Sequence, residues 1–116
     1  MLFYLHAIIM SENRHAKIQE AVQHAASQFL AREAGPQSLI TVTRVILADD
    51  SKSAKIFLSV LPTSAEDAAL AFCKRERSAV KHFLRNNVRM HPIPLLDFVI
   101  DDGEKNRQRI DELTRS

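Results

Sequence analysis

The chain has 116 residues, with sixteen lysines and arginines against fourteen acids, a formal net charge of +2, and a single cysteine. A chain of that length forms one domain with a core of its own. Cys73 has no partner in the chain, which excludes an internal disulfide framework and points to a reducing, cytoplasmic compartment.

Residues 1–10, MLFYLHAIIM, are an apolar run too short to cross a bilayer, without a basic start or a small-residue cleavage site. They read as neither anchor nor signal peptide. Met10, Ser11 and Glu12 resemble a second beginning: Ser11 is a candidate helix cap and Glu12 falls in the positive first turn. The expected division is an N-terminal extension over residues 1–10, with Met10 as an alternative start, and one domain over residues 11–116.

From residue 12 to 33, Ile18, Val22, Ala25, Phe29 and Leu30 recur at the spacing that lines one face of a helix, and Gly35-Pro36 stops it. SLITVTRVILA is rich in β-branched residues and reads as a strand. DDSK follows as a turn, and AKIFLSVLP alternates Ile56, Leu58 and Val60 with Lys55, Phe57, Ser59 and Leu61, so the two strands make a hairpin. Pro62 closes the second strand, because it lacks a ladder N–H. Ser64, with Glu66 and Asp67 behind it, then offers a helix start. A helical region runs to about residue 90. HPIPLLDFVID ends the fold as a strand, with Ile93, Leu95 and Val99 on one face and Leu96, Phe98 and Ile100 on the other, followed by a short polar tail.

The long helical region holds most of the charge asymmetry. Residues 74–91 contain six lysines and arginines and one acid, a balance of +5, while the rest of the chain, ten cations and thirteen acids, carries −3. Lys74, Arg77, Lys81, Arg85 and Arg89 are spaced three, four, four and four apart, one stripe on a continuous helix. Ala69, Phe72, Cys73, Val80, Phe83 and Leu84 centre on the opposite side. A solvated helix face usually mixes signs, and like charges at this spacing repel by a few tenths of a kcal/mol per pair. The stripe therefore reads as a surface for a polyanion, with His91 beyond its end completing the candidate set. Phe72 and Phe83 fall on the buried side, so phosphate and shape contacts are expected rather than base stacking. Local sequence fits a continuous helix, and also two helices joined at Ser78 and Ala79, since serine can bond back to a carbonyl at a kink.

Catalytic and metal constellations are weak. No two of the five histidines lie four apart, Cys73 has no cysteine partner, and two glycines cannot build a phosphate-cradling loop. Asp49, Asp50, Asp101 and Asp102 flank strand ends, where turn duties are the ordinary explanation. No enzyme activity, metal or cofactor is expected.

TVTRVILADDSKSAKIFLSVLP resembles the hairpin signature of the ribosome-binding factor A family, through Thr41, Val42, Val45, Asp50, Ala54, Lys55, Ile56, Phe57 and Ser59. Arg89, Pro94, Leu96, Phe98 and Asp101 match a second pattern of the family, and RIDEL at Arg109 to Leu113 a third. The resemblance implies an α+β, KH-like domain of type II, α-β-β-α-kink-α-β, with a three-stranded sheet packed against helices. It favours the kinked reading and places Glu76-Arg77-Ser78 where the family has A-x-G. The implied role is a non-catalytic, cytoplasmic, monomeric factor that binds the immature small ribosomal subunit and its rRNA, with no membrane partner. The competing expectation is a protein-docking module that offers its basic helix or a sheet edge to an acidic protein.

Overall fold

The computed structural model describes residues 2–36, 38–89, 92–103, 107, 110 and 113, with side chains placed from Arg14 onward. Its elements are α1 (Leu2–Glu33), β1 (Leu39–Leu47), β2 (Ser53–Leu61), a single 3-10 turn (Thr63–Ala65), α2 (Glu66–Arg75), α3 (Arg77–Asn87) and β3 (Leu95–Ile100). This is the α-β-β-α-α-β order expected from the sequence.

α1 begins at Leu2 rather than at Ser11, so Ser11 lies inside the helix and not at its start. Neither glycine nor proline interrupts residues 2–34, and leucine, alanine and isoleucine there sustain helix. Val22, Ala25, Ala26, Phe29 and Leu30 are buried against the sheet, while Ile18 is half-buried at the margin. Polar side chains fix the same helix to the end of β1. Gln19 Oε1 accepts the Leu47 N–H at 2.9 Å, and His15 Nε2 donates to the Leu47 carbonyl at 2.9 Å.

The sheet runs β1-β2-β3, the first pair antiparallel and the second parallel. Alternation along β2 buries Ala54, Ile56, Leu58 and Val60, which meet Leu96 and Phe98 of β3 in the core. β1 departs from strict alternation: its register shifts between Val42 and Arg44, which leaves Thr43 as the extra residue of a bulge. Val42 and Val45 are three apart and would face opposite sides of a regular strand; the bulge turns both into the core.

Asp101 locks that bulge. It is the one buried charged residue among those described, 7% exposed, and sits just past β3. Thr43 Oγ1 donates to its Oδ2 at 2.6 Å, its own N–H bonds the Leu58 carbonyl at 2.8 Å, and Arg44 Nε lies 3.6 Å from the same carboxylate. The carboxylate thus joins the two outer strands across β2. This is a structural duty, as expected for an acid at a strand end.

Val80 and Leu84 are fully buried and share one core with the hairpin's apolar face, with Phe83 half-buried beside them. Pro94 is buried and immediately precedes β3. The described tail residues, Asp102, Gly103, Arg107, Ile110 and Leu113, are helical.

Candidate nucleic-acid interface

The helical region is broken, and the break is at Glu76 rather than at Ser78 and Ala79, which lie inside α3. Glu76 adopts φ −90° and ψ 9°, at the edge of helical space, where most L-residues fit without a positive φ. Its N–H bonds the Phe72 carbonyl and its own carbonyl accepts the Val80 N–H, both at 2.9 Å. One residue thus ends the first ladder and starts the second, and no glycine is required. The cause lies in packing: Ala69 and Cys73 on α2 and Val80 and Leu84 on α3 are all buried, and the break lets both helices lay those faces down.

Because of the break, the five cations do not form one straight helical stripe. Lys74 is exposed in the last turn of α2. Arg77, Lys81 and Arg85 follow at four-residue steps along α3, about 12 Å from first to last. Lys81 is half-buried along its stem and Arg85 is exposed. Arg77 is half-buried against the ends of β2 and β3, in a groove shared with Lys55 and Asp97, and its Nε is buried without a hydrogen-bond partner. Arg89 lies beyond the helix, because Val88 is extended (φ −125°, ψ 132°) and buried. His91 lies outside the described residues.

Among the described residues none of these five cations has an ion-pair partner. Cations thus outnumber acids along α3, where Asp97 beside Arg77 is the acid that shares its groove. Asn87 Nδ2 donates to the Phe83 carbonyl at 2.7 Å, which fixes it at the helix end, and Asn86 lies 3.4 Å from His82. Phe83 faces α1, its ring centroid 5.8 Å from that of Phe29 and 5.2 Å beneath the Arg32 guanidinium, so no stacking aromatic joins the band.

Two features were missed in the sequence. Arg89 opens into a cavity of about 570 Å³ that it shares with Arg14 and Lys52. These three residues are far apart in the chain, so no local pattern links them. On the open face of the sheet, the Arg44 guanidinium lies 4.1 Å above the Phe57 ring, with Ile46 and Leu95 exposed nearby. The outward placement of the half-buried Phe57 and the exposed Leu95 follows from the alternation; the pairing of Phe57 with Arg44 follows only from the bulge.

Among the described residues no nucleophile is set up for covalent chemistry. Burial pushes the Cys73 thiol up from its ordinary 9.0 to about 11, which keeps it protonated and unreactive at neutral pH. Among the described residues no group of histidine, cysteine or carboxylate side chains is placed to hold a metal, and no helix is long and apolar enough to cross a membrane.

A three-stranded sheet with one antiparallel and one parallel pair, backed on one face by a long helix and a broken one, defines a KH-like domain of type II. Within that class, the chain belongs to the ribosome-binding factor A family, whose model matches residues 14–114. It is 34% identical over 76 residues to ribosome-binding factor A of Thermodesulfovibrio yellowstonii, spanning 66% of this chain and 64% of that protein. With the Carboxydothermus hydrogenoformans protein it is 30% identical over 109 residues, 90% of this chain and 86% of the relative. A homology model of Thermus thermophilus ribosome-binding factor A, fitted into the cryo-EM map of its complex with 30S, superposes with a TM-score of 0.61 at 24% identity, covering 68% of this chain and 86% of that one.

Proposed function

We propose that this chain is a small-subunit maturation factor that binds the immature 30S particle through rRNA phosphates, acts by binding and release rather than by chemistry, and works in the cytoplasm as a monomer. The observation that carries the reading is the row of Arg77, Lys81 and Arg85 along α3, with Lys74 before the break and Arg89 beyond the helix, none of them ion-paired among the described residues, on a member of a family named for ribosome binding. Folded rRNA presents mainly phosphates and shape, and a cationic helix face without stacking aromatics suits that target. His91 and an independent start at Met10 belong to the same reading.

The test is sedimentation of the tagged chain from lysate. The expected result is migration with free small subunits, lost on adding unrelated RNA or moderate salt. A chain that stays at the top of the gradient overturns the proposal. The exposed face of the sheet, with Ile46 and Leu95 uncovered, favours a second reading as a protein-docking module. That reading predicts capture resistant to both RNA competition and salt.

A further inference from the structure

We infer that the cavity beneath Arg89 is a pocket for one unstacked nucleotide of single-stranded RNA, with guanine preferred; this deepens, and rests on, the rRNA-binding reading. Its volume, about 570 Å³, falls within the range of roughly 300–1,000 Å³ typical of small-ligand sites. Three segments build it: α1 through Arg14, His15 and Ile18, the β1–β2 turn through residues 49–52, and the approach to β3 through Arg89 and Pro92–Pro94.

Hydrogen bonds tie these walls together before any ligand arrives. The Lys52 carbonyl accepts the Leu95 N–H at 2.9 Å, Asp50 Oδ1 accepts the Lys52 N–H at 3.0 Å, and Ser51 N–H bonds the Ala48 carbonyl at 2.8 Å. Ser51 holds a left-handed φ of 61°, so the turn keeps a shape that a non-glycine residue seldom adopts. On the opposite wall, the bond from His15 to Leu47 anchors the ring.

The lining selects the ligand class. Arg14, Lys52 and Arg89 bring three positive charges, and among the described residues none has an ion-pair partner. Asp49 and Asp50 line the same space. Two carboxylates oppose a bare anion, and three cations oppose a cationic ligand. A ligand with a negative end and a hydrogen-bond-donating end satisfies both sets, and a nucleotide is such a molecule. Its phosphate meets the cations, its base lies along Ile18 and the prolines, and its Watson–Crick edge meets a carboxylate. Guanine presents two adjacent donors, N1–H and the N2 amino group, matching the two oxygens of a carboxylate; the other bases do not present such a pair there. A recess for a splayed base also supplies what the α3 band lacks, a contact that reads more than phosphate.

The test is titration of the ¹⁵N-labelled full chain with GMP, AMP and inorganic phosphate. GMP should shift the amides of Ile18, Ser51 and Lys52 and bind about tenfold more tightly than AMP, the discrimination typical of a paired hydrogen bond to a base edge. Inorganic phosphate should not reproduce that pattern. Asp49→Asn should bring the GMP-to-AMP ratio towards one, whereas a Lys81→Glu/Arg85→Glu variant should bind GMP as the parent does. Equal affinity for GMP and AMP, or shifts confined to the α3 face, overturns the inference. A chain that sediments with small subunits yet shows no cavity shifts with GMP overturns the pocket alone. A chain that binds GMP in the cavity but ignores small subunits supports the pocket and overturns the ribosomal reading.

Discussion

Reversing the charge of Lys81 and Arg85 together is the sharpest test of the α3 band. The two residues occupy its middle, one turn apart, each about 100° round the helix from its buried neighbour, Val80 or Leu84. Each neutralised phosphate adds about 0.7–0.9 to the slope of log affinity against log salt. Arg77 is partly held against the strands, so four other cations remain, and the parent slope should be about −2.8 to −3.6. Affinity should then fall about a hundredfold as salt rises fourfold. In the double variant two contacts vanish and two anions face the same phosphates, so the slope should halve and small-subunit association should be lost. Stability should move by less than about 0.5 kcal/mol per site, because the charged groups lie outside the core. Sucrose-gradient sedimentation measures association, a salt titration of RNA binding gives the slope, and thermal unfolding checks the fold. A folded double variant that keeps its subunit binding and its slope would falsify the phosphate reading and leave α3 with an ordinary solvated face.

Three further outcomes follow from the packing. Asp101→Ala should cost about 0.5–1.5 kcal/mol, since it removes the 2.6 Å bond from the Thr43 hydroxyl, which keeps the Phe57 carbonyl at 3.3 Å as an acceptor; in a double-mutant cycle, Thr43→Val should couple to it, and strict additivity would show that the clasp contributes nothing. Cys73 stabilises the fold while it stays a thiol, its folded pKa being raised from 9.0 to about 11; the unfolded chain then releases its proton first, so stability is full below pH about 9 and falls by roughly 2–3 kcal/mol as pH rises to about 11. That alkaline loss should be absent from Cys73→Ala, and equal losses in both proteins would disprove the linkage. Deleting residues 1–9, which lie outside the 14–114 family match, should change thermal stability by less than about 1 kcal/mol, and a larger drop would mean that this end of α1 packs on the domain.

Strand alternation and helical spacing made most of the core legible. Ile56, Leu58 and Val60, and likewise Leu96 and Phe98, were assigned to a face by period two alone, and burial follows that assignment. The Thr43 bulge was not legible, because a bulge is settled by what both strands bury and not by the type of the extra residue. The helix break was legible only through the family resemblance, whose A-x-G site falls on Glu76-Arg77-Ser78; serine chemistry pointed to Ser78 and Ala79, whereas the packing of Cys73 and Val80 fixes the break at Glu76. Of the candidate site, the charge of α3 was visible as a run in the sequence, but the meeting of Arg14, Lys52 and Arg89 depends on three tertiary connections and leaves no local trace.

The break at Glu76 has a bearing on how such domains drift. Its backbone angles suit most amino acids, so residue 76 and its neighbours are free to vary as long as the apolar positions on either side keep their faces toward the sheet. The apolar pattern that sets the bend is carried by Ala69, Cys73, Val80 and Leu84, all buried, and not by a small residue at the bend. The heritable instruction for the bend is thus spread over two helices, and the residues at the bend itself remain open to selection by whatever the surface touches.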